Sequence, residues 1–176
     1  MPEKMAFISG LPCPFNANYS TMKKIIAIPL MLMTLITMAA AQHNASSIIG
    51  RWMNADNNLE VEIFKVGDEY RARVVWFDDT DDKSNPMYQR CDKKNPDKGL
   101  RNRKLIGLEV MHGLVYNSGE DEWQEGKIYD ASSGKDWNAK AWLTEDGCLK
   151  VRGFWHLEFL GQNICFKRVQ LNLLKP

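Results

Sequence analysis

Two groups of polar residues carry most of the chemistry this chain offers. Asp92, Asn95, Asp97, Arg101 and Arg103 share one short polar segment, while Tyr129, Asp130, Lys140 and Arg152 recur across three successive apolar-patterned stretches. A guanidinium presents a planar fork of donors that matches a carboxylate, so Arg101 and Arg103 suit either an acidic ligand head or an internal bond to Asp97. Lys140 and Arg152 fall on the same alternate face of neighbouring strands, with Asp130 on the strand before. That placement fits a polar belt at the mouth of a barrel and needs no catalysis. With indole rings as apolar walls, the expected ligand-binding set is Trp52, Trp76, Arg101, Arg103, Tyr129, Trp137, Lys140 and Arg152. No catalytic, metal-binding or cofactor-binding residue is assigned.

Other chemistries fit poorly. His43, His112 and His156 have no second His or Cys at metal-ligand spacing. Ser132-Ser133-Gly134 reads as a hairpin turn, whereas a nucleophilic serine elbow needs a strand-to-helix setting. Gly99, Gly107 and Gly113 do not form a phosphate-cradling loop. Asp79, Asp81 and Asp82 lack the ordered loop of a helix–loop–helix calcium site and read as a solvated acidic loop. The formal net charge is +1 and the basic residues are scattered, so there is neither a stripe for nucleic acid nor a basic amphipathic helix for a membrane surface. No nucleophile–base pair can be named, and the chain is expected not to be an enzyme.

The first part of the chain reads as a leader. Lys23-Lys24 precede an apolar run from Ile25 to Met38, and Ala39-Ala40-Ala41 supply the small residues of a cleavage site. The run is short for the roughly 20 residues that cross a bilayer, and no Lys or Arg cluster follows it. The expected organisation is a signal peptide over residues 22–41, preceded by an over-extended, unstructured start over 1–21. A lead-in over 42–47, one domain over 48–170 and a tail over 171–176 follow. The mature protein is then soluble in the periplasm and not integral to the membrane. Cys91, Cys148 and Cys165 remain, an odd set that leaves at least one thiol unpaired in a monomer. With the last turn centred near Phe159, Cys148 would face Gln170 and Cys165 would face Gly153. A bridge needs Cα atoms within about 7 Å, so reduced cysteines are expected.

The elements that must position these residues alternate with a period of two. Leu59, Val61 and Ile63 alternate with Glu60 and Glu62; Tyr70, Ala72, Val74 and Trp76 form one face of the next stretch. Trp137, Ala139, Ala141 and Leu143 face Leu149, Val151, Gly153 and Trp155 across the turn Thr144–Gly147. Asp78 to Arg103 is long, polar and irregular, and Lys104 to Val110 fits neither helical nor strand period cleanly. Successive local hairpins favour an all-β, closed antiparallel barrel with little helix, because closure removes exposed edges and a sandwich needs longer crossings. Ala72, Ala139, Ala141 and Gly153 on the inner faces leave room for Trp52, Trp76, Trp137 and Trp155 or for a ligand.

Several short motifs together resemble a known family. They are Gly50-Arg51-Trp52, Asp92-Lys93-Lys94-Asn95-Pro96-Asp97, Leu100-Arg101-Asn102-Arg103, Leu105-Ile106-Gly107-Leu108, Gly126-Lys127-Ile128-Tyr129-Asp130, Ser133-Gly134-Lys135 and Leu149-Lys150-Val151-Arg152-Gly153. In this order they resemble the exported bacterial proteins of the DUF2147 family, which are similar in fold to lipocalins. The chain departs from that pattern at Ala131, where the family usually has Pro, at Trp137, where Tyr is common, and at Phe166, where Trp is usual. The resemblance implies a barrel and export, and supplies no catalytic residues. The expected function is noncatalytic periplasmic binding of a small apolar or amphiphilic ligand such as a fatty acid. The alternative is a structural or protein-interaction role at the cell envelope, through the Asp78–Arg103 segment or through Val75, Phe77, Trp142 and Phe154.

Overall fold

In the computed structural model the described residues are 43–170, so the expected leader and tail lie outside them. The alternating stretches become eight strands: β1 (Gly50–Asn54), β2 (Leu59–Val66), β3 (Glu69–Phe77), β4 (Glu109–Asn117), β5 (Glu122–Asp130), β6 (Lys135–Leu143), β7 (Leu149–Phe154) and β8 (Gln162–Arg168). Each pairs antiparallel with its neighbour in sequence, and β8 returns to β1 through Trp52↔Arg168 and Asn54↔Phe166, closing a barrel in the order β1 to β8. The expected all-β closed antiparallel barrel is therefore the architecture. Helix among the described residues is confined to short 3-10 turns at Ala45–Ile48, Lys98–Leu100 and Glu158–Leu160. None of these is long and apolar enough to cross a membrane.

The β6–β7 hairpin shows how local sequence sets register. Thr144 N–H donates to the Cys148 carbonyl at 2.9 Å, and Gly147 takes the left-handed φ of 78° that closes the turn. Leu143↔Leu149, Ala141↔Val151 and Ala139↔Gly153 then share the inner face, as the alternation requires.

One end of the barrel is solid. Trp52 is 1 % exposed, its Nε1 donates to the Ile48 carbonyl at 2.8 Å, and the Arg168 guanidinium lies 4.3 Å from its ring centroid. Trp123 is fully buried in register with Ala141, with Tyr70 edge-on at 6.3 Å and Tyr116 tilted at 4.9 Å. Small Ala72 and Ala141 thus sit in a cluster filled by large rings, each contributing about 1.5–3 kcal/mol of burial. The chain before β1 is held there too. His43 N–H and Nδ1 lie 3.1 and 2.8 Å from the Asp121 carboxylate, which also accepts a 2.6 Å bond from the Tyr116 hydroxyl. That bond to Asp121 is the main reason the Tyr116 phenol is pushed up to about 12.

Three local readings change in the structure. A bulge between Glu60 and Val61 pairs Val74 with Val61 but Trp76 with Glu60 and Phe77 with Leu59, so Trp76 leaves the inner face that Tyr70, Ala72 and Val74 share. Residues 104–108 are turn and coil apart from one isolated bridge, Cys91↔Lys104, and β4 runs through Gly113 at φ 75°. The β7–β8 register is Lys150↔Cys165 and Gly153↔Gln162, three residues tighter than a turn centred at Phe159 gives. Cys148 and Cys165 consequently stand 6.0 Å apart at Cα and are joined by a disulfide, correcting the expectation of reduced thiols; Cys91 is free.

Candidate functional site

The other end of the barrel is open, and the inner faces of β5 to β8 there line a cavity of about 770 Å3. Ile128 and Trp137 are register partners on its β5–β6 wall, and Val151 and Ile164 are partners on its β7–β8 wall. Gly153 lies between them without a side chain; a Cβ there would meet only Trp137 Cβ, at 4.0 Å. The crowding that fills the solid end is therefore missing. Ile164 remains 49 % exposed although its inner-face partner Val151 is 7 % exposed.

The connection from β7 to β8 leans over this opening. Trp155, His156, Leu157 and Leu160 contribute to the lining, and Trp155 meets Trp137 edge-on with centroids 5.6 Å apart. Phe159 at 75 % exposure, outside the lining, and Leu160 at 72 %, at its edge, leave a strongly apolar tip in solvent. None of residues 78–108 lines the cavity, so the long polar segment Asp78–Arg103 does not cover it.

The polar groups of the lining are Asp130, His156 and Gln162. The Asp130 carboxylate accepts from Ser132 N–H at 2.9 Å, Ser132 Oγ at 2.7 Å and Ser133 Oγ at 2.6 Å. Partial burial raises its pKa, but these serine and backbone donors outweigh burial and leave it below the ordinary carboxylate value. Ser132 and Ser133 act as turn residues here, a role their position in the β5–β6 turn already suggests.

Most of the polar residues singled out in the sequence lie elsewhere. Tyr129, next to Asp130 but on the opposite face of β5, packs against the long β3–β4 connection. Its hydroxyl donates to Asp92 Oδ1 at 2.7 Å and accepts from Asn95 Nδ2 at 3.1 Å. Asp92 is fully buried, and its other oxygen accepts from Asn95 Nδ2 at 2.8 Å and from Arg103 Nε at 3.0 Å and Nη2 at 2.9 Å. Burial alone would raise the Asp92 pKa; the Tyr129, Asn95 and Arg103 donors together hold it below its ordinary value. Arg103 also lies over the Tyr129 ring at 5.3 Å, and Arg101 Nε donates to the Asn95 carbonyl at 2.7 Å. Asp97 bonds the Gly99 N–H, so the internal partner of Arg103 is Asp92 and not Asp97.

Lys140 and Arg152 are register partners as the alternation implies, and both are engaged on the outer wall. Lys140 Nζ pairs with Glu122 at 3.1 Å and Glu158 at 2.5 Å; Arg152 donates to the Glu158 carbonyl and to Asn163 Oδ1, each at 2.8 Å. Lys140 borders a separate, polar cleft of about 400 Å3. Of the eight expected ligand residues, Trp137 lines the main cavity, Trp52 seals the solid end, and Trp76 stands outside the lining. The acidic loop is tied by Arg90, which meets Asp81 Oδ1 at 2.6 Å and the Asp79 carbonyl at 3.1 Å. No group of three or more His, Cys, Asp or Glu with metal-holding geometry occurs among the described residues.

The lining residues absent from the expected ligand set are Ile128, Asp130, Val151, Gly153, Phe154, Gln162, Ile164 and those of the β7–β8 connection. Ile128, Val151 and Ile164 carried a signal, since each is apolar, has inner-face parity and lies toward the same barrel end. An apolar run in a connection, Trp155 to Leu160, was also visible, since connections are ordinarily polar.

Comparison with known proteins agrees with this architecture. A solved structure described as "Protein HP1028 from the human pathogen Helicobacter pylori belongs to the lipocalin family" superposes with a TM-score of 0.59 at 21 % identity, covering 70 % of this chain and 83 % of that one. At that identity the likeness shows the fold. No curated protein matches. The model of an uncharacterised protein family conserved in bacteria matches residues 50–168, from the first residue of β1 to the last of β8, and the chain belongs to that family, DUF2147.

Proposed function

We propose that the protein is a noncatalytic periplasmic binder of a small apolar or amphiphilic molecule, held in the open half of the barrel with its apolar part along Ile128, Trp137, Val151 and Ile164. The observation that carries this reading is the half-exposed inner face at Ile164 beside a cavity of about 770 Å3, a volume within the range of small-molecule sites. Filling it removes apolar surface from water, which at about 25 cal/mol per Å2 is the driving force available to an alkyl or acyl chain. A fatty acid belongs to this class, although its carboxylate would have to sit clear of Asp130. Export is supported by the leader motif and by the disulfide, which suits an oxidising compartment.

Calorimetric titration of protein purified without added lipid against alkyl and acyl compounds of graded length tests the reading. Binding is expected to strengthen with chain length and to weaken about tenfold, some 1.4 kcal/mol, in Trp137→Ala. Absence of heat and of any change in tryptophan fluorescence across the series would refute it.

A second reading, protein interaction at the envelope, is favoured by the apolar tip at Phe159 and Leu160. Val75, Phe77, Trp142 and Phe154, the surface first expected to serve it, are all part-buried. Envelope pull-downs with Phe159→Ser, a residue outside the cavity lining, distinguish the two: loss of a captured protein with alkyl binding intact supports interaction.

A further inference from the structure

We propose that the mouth of the barrel selects a cationic head group, so that the ligand is an alkyl ammonium-type amphiphile whose charge sits between the Asp130 carboxylate and the Trp137–Trp155 pair. This rests on the binding reading of the same cavity and names the chemistry of its occupant.

The argument begins with which charges reach the lining. Among the described residues that line the cavity there is one carboxylate, Asp130, and neither Lys nor Arg. Three cations of the surrounding wall are committed elsewhere: Arg103 to Asp92, Lys140 to Glu122 and Glu158, Arg152 to the Glu158 carbonyl and Asn163. Lys135, the register partner of Asp130, is exposed to solvent and forms no ion pair with it among the described residues. The three groups that bond the Asp130 carboxylate are the Ser132 amide and the Ser132 and Ser133 hydroxyls, all neutral. They fix the carboxylate in place and favour its charged form without cancelling its charge. A carboxylate ligand would meet that charge at the rim as a like charge; an ammonium would meet it as a partner.

The aromatic side of the mouth adds an independent preference. Trp137 and Trp155 both belong to the lining and meet edge to face at 77°, an arrangement in which each ring keeps at least one face that the other does not cover. The face of an indole attracts ammonium groups, most strongly where water is partly excluded. Gly153 supplies the space, because a Cβ there would have Trp137 Cβ, at 4.0 Å, as its one neighbour within that distance. A quaternary or primary ammonium with an alkyl tail therefore satisfies the carboxylate, the indoles and the apolar wall together. His156 is the other titratable lining group, and Gln162 offers both donor and acceptor.

The test compares three probes with one tail and different heads: decyltrimethylammonium, decanol and decanoate, titrated below micelle formation into the wild-type protein and into Asp130→Asn. Asparagine keeps an acceptor for the Ser132 N–H, so the β5–β6 turn survives the change of charge. Decyltrimethylammonium is expected to bind at least about tenfold more tightly than decanoate to the wild type, with decanol between them, and Asp130→Asn to bring the two within about threefold. Decanoate binding as tightly as the ammonium, or a preference that survives in Asp130→Asn, would overturn the head-group assignment while leaving the cavity a binding site. Failure of all three probes to bind would overturn the binding reading and this inference with it.

Discussion

Arg103→Met tests whether the long β3–β4 connection is held to the barrel by a buried charge pair. The substitution keeps an unbranched side chain against Tyr129 but removes both donors to Asp92 Oδ2, at 3.0 and 2.9 Å, and leaves a fully buried carboxylate with only Tyr129 and Asn95. Breaking a buried pair costs about 3–5 kcal/mol. The Arg103 side chain is 37 % exposed, so water screens part of the attraction and the expected loss is about 2–3 kcal/mol at neutral pH. The pH dependence gives the sharper check. A carboxyl whose folded pKa lies below its unfolded value of 3.8, as for Asp92, contributes stability that is present above 3.8 and lost as pH falls through the folded value. Without Arg103, burial acts on Asp92 with less opposition, so the variant takes up the proton at higher pH than the wild type. Urea unfolding followed by tryptophan fluorescence should therefore show the gap between the two proteins narrowing from about pH 7 to about pH 3. A gap below about 0.5 kcal/mol at pH 7, or one that does not narrow on acidification, would refute the reasoning.

The β5–β6 turn offers another test, because Gly134 has φ 71° and a Cβ on it would strike the Lys94 carbonyl oxygen, whereas Gly147 has φ 78° with nothing within 4 Å. Gly147→Ala should cost about 1 kcal/mol of backbone strain, while Gly134→Ala should cost at least about 1 kcal/mol more; equal losses in urea unfolding would show that the turn does not rest on the β3–β4 connection. Replacing Cys148 and Cys165 by Ser removes a cross-link of sequence separation 17 and should lower stability by about 3 kcal/mol, with no further response to reductant.

The barrel was readable because its strongest signals are local. The β6–β7 hairpin declares its own register through Thr144–Gly147 and the alternation on either side, and closure follows from a succession of such hairpins. Trp76 was misplaced because a bulge one residue long reverses parity, and the residues around Glu60 carry no mark of it. The disulfide was missed for a related reason. Centring the β7–β8 connection at Phe159, when it lies between Leu157 and Glu158, shifts the register by three residues and was enough to move Cys165 from opposite Lys150 to opposite Gly153. The polar residues were harder still. Asp92, Asn95 and Arg103 have the composition of a ligand site, and only their meeting with Tyr129 on the outer wall shows that they bond one another. Sequence shows that Asp130 and Tyr129 are adjacent and on opposite faces; which face lines the cavity depends on how the barrel curls.

The junction of β1 with β8 is the shortest seam in the wall, running from Trp52↔Arg168 to Asn54↔Phe166. A continuous hoop of backbone hydrogen bonds gives a neighbouring chain no strand on which to template itself, and that protection lasts only while this seam is shut. Arg168, lying over Trp52 and bonded to the Ile49 carbonyl at 2.9 Å, works as the clasp. Unfastening it would bare two ribbon borders at once, which makes self-association, more than simple unravelling, the failure to which this molecule is most exposed under stress.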